Sequence, residues 1–256
     1  MNRNRTAVGA FVVALCTAGF ALGPASAASA GEAKSRVGAD WETQSIVFTA
    51  AAGHTNDLNV FFMYTSDGIQ RIGFRDVVPL QPGDHCAYSS AEDTTAVVCE
   101  LPTDAPRPDR IDIHLGDGDD TVAAFTPGVG TVSGGSGDDE LHAHTARTVL
   151  GGDGNDMVMG PAVLHGGDGM DHLTGDDENQ RMWGGAGDDM IEGYGGDDTV
   201  YAGSGDDHAM GGDGRDIVLG GPGDDMLHGE GGDDLVGGGL GKDTVDGGPG
   251  RDIVLP

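Results

Sequence analysis

One stretch decides what this chain can fold into. From Gly166 to Leu255 the sequence divides without a gap into ten nonapeptides: GGDGMDHLT, GDDENQRMW, GGAGDDMIE, GYGGDDTVY, AGSGDDHAM, GGDGRDIVL, GGPGDDMLH, GEGGDDLVG, GGLGKDTVD and GGPGRDIVL. Glycine recurs at the first, second and fourth places, Asp at the sixth and an apolar residue at the eighth. Nine of the ten units keep the sixth-place Asp; the second has Gln180 there. Collagen is excluded, because its glycine returns every third residue. A disordered acidic chain would not hold Asp and Val in phase over so long a stretch. A short fixed period means one structural unit stacked on copies of itself, none of which can bury its apolar face alone.

Looser copies precede the regular block. LGDGDDTVA starts at Leu115, GGSGDDELH at Gly134 and GGDGNDMVM at Gly151. Between them the Gly–Asp signature lapses, yet Val132, Val149 and Leu164 each stand two residues before the next unit. That is where an inward-facing strand residue belongs, since side chains alternate along a strand. The natural unit is therefore a turn of about eighteen residues carrying two strands. In the early turns only one of its two connecting loops has the Gly–Asp form.

The residue types point to a cation. The chain has 43 acidic and 13 basic residues and a net charge of −30. Phosphate binding needs clustered Lys and Arg, so a free nucleic-acid partner is excluded. Calcium is a hard ion that takes about six to eight oxygens, which carboxylates and backbone carbonyls supply. Glycine lets the chain curl so that carbonyls converge on one ion, and it leaves no Cβ in the way. After the Asp the backbone enters a strand in which places seven and nine face out and place eight faces in. The eighth places hold Val122, Leu141, Val158, Leu173, Ile191, Val200, Ala209, Val218, Leu227, Val236, Val245 and Val254, a narrow core for a flattened spiral.

In these features residues 115–255 resemble the RTX family of secreted bacterial proteins with hemolysin-type calcium-binding repeats. The resemblance implies an all-β fold, the parallel β-roll, a right-handed solenoid with Ca2+ held between successive turns. Carried over by position, Asp120, Asp139, Asp156, Asp171, Asp189, Asp207, Asp225 and Asp243 line one edge. Asp198, Asp216, Asp234 and Asp252 line the other. Eight stacked loops leave seven gaps and four leave three, which gives up to ten Ca2+ ions. Gln180 stands at the start of the second edge and is expected to end that column. Fifth-place acids such as Asp119, Asp188 and Asp206 are expected to face solvent, because the family ligand from that place is a backbone carbonyl.

The rest of the chain reads differently. Residues 1–30 have the form of a secretory signal: Arg3 and Arg5, an apolar run from Ala7 to Leu22, then Ala25-Ser26-Ala27 or Ala28-Ser29-Ala30. The run is shorter than the roughly 18–20 residues that span a bilayer. Cleavage after Ala27 or Ala30 is expected, giving an extracellular protein with no membrane span. Cys16 leaves with the signal, and Cys86 with Cys99 forms an even pair in an oxidising compartment, hence one disulfide. Residues 31–113 are expected to form a small β-rich region, with strands at Ser45–Thr49, Leu58–Tyr64, Gln70–Phe74, Thr95–Cys99 and Arg110–Ile113. Turn chemistry at Ser66-Asp67-Gly68 and Gln81-Pro82-Gly83-Asp84 separates them. Pro102, Pro106 and Pro108 mark the boundary to a roll spanning residues 114–256.

Three classes of function compete: a secreted calcium-binding protein that folds on metal, a secreted enzyme with a small catalytic N-terminal region and the roll as appendage, and a solenoid whose flat face binds a regular surface. For the enzyme there is no Gly-x-Ser-x-Gly elbow and no His-Glu-x-x-His. His54 with Asp57, and Asp84 with His85, are the nearby acid–base pairs, both in turn-like stretches. For the flat-face binder, places seven and nine mix His, Met, Ile, Asp, Thr, Leu and Glu rather than repeating one residue. The repeat histidines His142, His165, His172, His208 and His228 fall at those outward places and are expected to be solvated. Calcium binding without catalysis is the function the sequence supports, and it leaves a protein or cell-surface partner open. The last coil stops at Asp252–Pro256 directly after a repeat, so Pro256 is expected to blunt that edge unless the edge pairs with a partner.

Overall fold

The computed structural model of the chain describes residues 34–40, 45–64, 70–100 and 110–256. The signal reading over residues 1–30, the Ser66-Asp67-Gly68 turn and the three prolines of the boundary lie outside them. The described residues contain no helix. They build two 12-stranded sheets that face each other and run the length of a parallel solenoid with about eighteen residues per turn.

Alternation produces the strands. Within each turn the residue after a loop Asp faces out, the next faces in and the third faces out, as at His172, Leu173 and Thr174. Stacking then places like on like. Leu164, Met182, Val200, Val218 and Val236 lie in register in one sheet, and Leu173, Ile191, Ala209 and Leu227 in the other. All of these are fully buried, and the two files, one from each sheet, form a narrow core between the sheets. At the far end the files open: Val245 is only partly buried and Val254 is 46% exposed, because no further turn stacks on them.

The N-terminal strands extend the same two sheets. They are β1 (Ser35–Asp40), β2 (Ser45–Thr49), β3 (Asp57–Tyr64), β4 (Gln70–Arg75), β5 (Leu80–Pro82), β6 (Cys86–Tyr88) and β7 (Ala96–Glu100). The chain then enters β8 (Arg110–Asp117) and β9 (Thr121–Ala124). β2 pairs parallel with β8, and β3 with β9, so the first turn of the solenoid is laid down before any repeat. Beyond them the pairing turns antiparallel: β1 on β2 in one sheet, then β4, β7 and β6 in the other. Phe48 and Phe74 meet between the sheets with ring centroids 6.5 Å apart, filling this wider end of the core. Gln81 and Pro82, expected in a turn, belong to β5, which lies parallel to β1 at the sheet edge. An edge is where Pro is tolerated, having no N–H to give. Cys86 and Cys99 stand opposite each other on β6 and β7 and are disulfide-bonded.

Candidate metal centre

The loops between the sheets carry the polar chemistry. On the first edge every sixth-place Asp is joined to the next by the same bond. The backbone N–H of Asp120 donates to Asp139 Oδ1 (2.8 Å), that of Asp139 to Asp156 (2.9 Å) and that of Asp156 to Asp171 (2.8 Å). The series continues through Asp189, Asp207, Asp225 and Asp243 at 2.8–3.1 Å. Sequence separations of 19, 17, 15 and then 18 residues leave it unbroken. On the second edge Gln180, Asp198, Asp216, Asp234 and Asp252 form the same chain of bonds. All twelve predicted aspartates thus fall into two columns, eight on one edge and four on the other.

Each of these carboxylates spends one oxygen on a neighbour, and ten of the twelve leave the other buried and idle. Oδ2 of Asp120, Asp139, Asp156, Asp171, Asp189, Asp207 and Asp225 is buried without a hydrogen-bond partner, as is that of Asp198, Asp216 and Asp234. A buried, unpaired carboxylate oxygen is among the most unfavourable groups a fold can hold, unless a cation completes it. In the two columns every such oxygen belongs to an Asp with another Asp loop stacked beyond it; one more, Asp76 Oδ2, lies outside them. Asp243 and Asp252, the last of each column, are absent from the set. Burial, reinforced by the neighbouring carboxylates, raises the pKa of Asp139, Asp189 and Asp198 to about 7. The same causes take Asp171, Asp207 and Asp216 to about 6, the N–H that each accepts opposing the shift.

Backbone carbonyls complete the gaps. A Cβ on Gly187 would fall on the carbonyl oxygen of Gly169 one turn earlier, and one on Gly166 would lie 2.6 Å from that of Gly184 one turn later. The three glycine places are not equal. Ala202 and Leu115 occupy the first place, and Tyr194 and Glu230 occupy the second with φ of 74° and 67°. The fourth place is glycine in all twelve Asp loops, with φ between 102° and 153° wherever it is positive. Those angles lie beyond the left-handed helical well that other residues can reach, so only glycine fits. Among the described residues no three His, Cys, Asp or Glu side chains converge on one point. Each gap instead offers two carboxylates and several carbonyls, an all-oxygen set of the kind calcium takes.

The fifth-place acids are exposed, as expected, and are also used. Asp119, Asp188 and Asp206 each accept the N–H of the fifth residue one turn later, at 2.8–3.0 Å. Sequence reasoning missed Asn56. It lies in no Gly–Asp motif, yet its N–H donates to Asp120 Oδ1 at 2.6 Å and places it at the head of the first column. The mixed outward residues also sort themselves once alternate loops are assigned to opposite sheets. Leu150, His165, Trp183, Tyr201 and Leu219 lie in register on one outer face, with His165 on Trp183 and Trp183 on Tyr201 stacked at 4.5 and 5.7 Å. Met157, His172, Met190, His208 and Met226 alternate on the other. The five repeat histidines are half-buried, more packed than the solvated positions expected: His165, His172 and His208 lie in these rows, and His142 and His228 lie in another, in register with Met159 and Met210. Of the candidate acid–base pairs, His54 turns its Nδ1 to Ala52 O at 3.0 Å, and the Asp57 N–H donates to Asp76.

Comparison with protein families gives the model of the RTX calcium-binding nonapeptide repeat, which matches residues 126–145, 165–200, 174–209, 201–236, 210–245 and 219–254. Asp120 and Asp156 lie outside the matched segments and share the column geometry all the same. No curated protein matches the chain.

Proposed function

Because residues 126–254 belong to the RTX calcium-binding nonapeptide repeat family, we propose that this is a secreted calcium-binding protein whose roll folds as the metal binds. One observation carries the reading: in the two columns ten buried carboxylate oxygens lack a partner, one for each gap between stacked Asp loops. The proposed ligand residues are Asp120, Asp139, Asp156, Asp171, Asp189, Asp207, Asp225 and Asp243 on one edge and Asp198, Asp216, Asp234 and Asp252 on the other. Carbonyls of the glycine-rich loops join them, for up to ten ions. The chain divides into a signal over residues 1–30, a β-rich N-terminal region over 31–113 and the calcium-binding roll over 114–256. Export precedes folding: the chain crosses low cytosolic calcium unfolded and meets high calcium outside.

Charge supports metal as a condition of folding. Loss of Arg3 and Arg5 with the signal takes the chain from −30 to −32, and ten divalent ions return +20. That removes most of the self-repulsion that opposes compaction. The core helps little, being narrow, and the glycine-rich loops lose much conformational freedom on ordering. Metal binding and folding then become one equilibrium. Among the described residues no helix is long and apolar enough to cross a membrane. Far-UV circular dichroism during a calcium titration of the mature chain tests the reading. A cooperative rise of β signal is expected, while a β spectrum indifferent to chelator would overturn it.

A further inference from the structure

Both columns begin on a carboxamide, and the two carboxamides do opposite things. Asn56 heads the first. Its Nδ2 donates to His54 O (3.2 Å) and to Asp120 Oδ1 (3.0 Å), while its Oδ1 accepts from the Ser35 hydroxyl (3.3 Å). An N–H therefore points into the first gap, where a cation would otherwise sit, and every polar atom of that side chain is used. Gln180 heads the second column and is 1% exposed. Being one methylene longer, it folds its nitrogen back onto its own loop. Nε2 donates to Asp176 Oδ1 (2.7 Å), Glu178 O (2.5 Å) and, at 3.4 Å, Pro161 O of the preceding turn. Three acceptors around one atom fix which end of the amide is nitrogen. Oε1 is thereby turned forward, buried and without a partner.

The place Oε1 occupies is that of a carboxylate. A Cβ on Gly175 would meet Gln180 Oε1 and would lie 2.7 Å from Gly193 O. In the regular turns the same test on Gly166 meets Asp171 Oδ2 and Gly184 O, the latter at 2.6 Å. The Gln180 N–H donates to Asp198 Oδ1 at 2.7 Å, as Asp N–H groups do throughout both columns. The carbonyl of Glu178 points at the would-be Cβ of Gly196, as that of Gly169 does at Gly187. Within the two columns Gln180 Oε1 thus joins the ten buried, unpartnered aspartate oxygens.

We infer that the gap between residues 175–180 and 193–198 is a further divalent-cation site, in which Gln180 Oε1 takes the part played elsewhere by an Asp oxygen. Gln180 does not end the second column; it opens it with a neutral ligand. The donors facing the gap are Gln180 Oε1, the Asp198 carboxylate and the carbonyls of Glu178 and Gly193. One negative charge fewer than in a regular gap makes this the weakest calcium site of its edge, since ligand charge tunes calcium affinity. The inference rests on the calcium reading proposed above.

Bound calcium is counted on the mature full-length chain by native mass spectrometry and by equilibrium dialysis at millimolar calcium, for the wild type, Gln180→Asp and Gln180→Leu. Wild type and Gln180→Asp are expected to hold the same number of ions, the weakest on the order of tenfold tighter in the variant. Gln180→Leu, which keeps the bulk and removes the oxygen, is expected to hold one fewer. Should Gln180→Leu fail to fold, the first comparison decides alone. A Gln180→Asp chain that gains an ion over the wild type overturns the inference, because the amide then plugs the gap, and leaves the calcium reading standing. A wild type that binds no calcium overturns both.

Discussion

Fourth-place glycine is the residue on which the roll depends most, and Gly187→Ala isolates the reason. Gly187 has φ of 123°, and a Cβ there would fall on the Gly169 carbonyl, a backbone atom of the loop one turn earlier, where the Gly169 N–H is bonded to Ala186 O. Holding alanine at such an angle costs about 1–3 kcal/mol. Relief requires the two turns to part, and the gap between Asp171 and Asp189 then loses its carbonyl. At calcium a hundredfold above the dissociation constant, one lost ion removes about 2.7 kcal/mol of stabilisation. The sum is roughly 4–6 kcal/mol, on the order of 10–20 °C in melting temperature for a chain of this size. Gly237→Ala is the control. Its φ is unremarkable, and its Cβ would approach the flexible Leu219 Cδ2 at 3.1 Å and Leu255 Cβ at an ordinary contact distance of 3.7 Å. Calorimetry in saturating calcium and native mass spectrometry read both effects. Were Gly187→Ala to melt within a few degrees of Gly237→Ala with its full set of ions, the glycine argument would be wrong.

Other consequences can be checked as directly. Ile191→Ala, in the buried file of the core, is expected to cost about 2–5 kcal/mol, whereas Val254→Ala at the open end should change stability by less than about 0.5 kcal/mol in the same urea titration. Replacing Cys86 and Cys99 together by Ser opens a link between residues 13 apart in sequence; a loss of about 3 kcal/mol is expected on the chain-entropy argument, read by denaturation in calcium. The metal-free roll should depend on pH in the sense opposite to most acidic proteins. Asp139, Asp189 and Asp198 are raised to about 7 and Asp171, Asp207 and Asp216 to about 6, from an ordinary 3.8, so these groups favour the fold below pH 3.8 and lose that contribution as pH rises through 6–7. With chelator present, β signal is expected at pH 4 and its loss by pH 8; the reverse order would refute the assignment.

Much of this was legible because the strongest signals were local. A nine-residue register fixes which residue turns, which bonds the neighbouring turn and which faces inward, so the roll, both columns and the core file followed from it. The N-terminal strands were visible wherever β-branched and aromatic residues ran together, as in Ser45–Thr49 and Asp57–Tyr64. β1 was not, because its inward residues are Ser35, Val37 and Ala39 and its hydrophobic contrast is weak. Ser35 is buried for its hydroxyl, which serves Asn56 and the Ala51 N–H. Asn56 itself was invisible, since its role comes from stacking against Asp120, a residue 64 positions away. The rows of the outer faces stayed hidden for a similar reason: neighbours on a face are a full turn apart, and consecutive units belong to opposite sheets.

The unequal early spacings show what the fold holds constant. The steps from Asp120 to Asp139, Asp156 and Asp171 cover 19, 17 and 15 residues, yet each keeps its N–H to Oδ1 bond at 2.8–2.9 Å. The strands on either side keep their lengths, with Glu140–His142 and Met157–Met159 in register and Thr148–Asp153 on Val163–Asp168. Length must therefore vary on the other edge, and it does: five residues, 143–147, connect the sheets in one turn and three, 160–162, in the next. The first edge is fixed by its polar column and the second, before Gln180, is free to change. Two residues inserted between His144 and Thr145 should then leave the ion count unchanged and cost less than about 1 kcal/mol, since lengthening a surface loop adds little closure entropy. The same two residues inserted between Gly154 and Asn155 enlarge a loop that faces a gap on each side, so two ions should be lost. Equal ion counts for the two insertions would mean that the column tolerates slack, and that the constraint on this solenoid lies somewhere other than its aspartate edge.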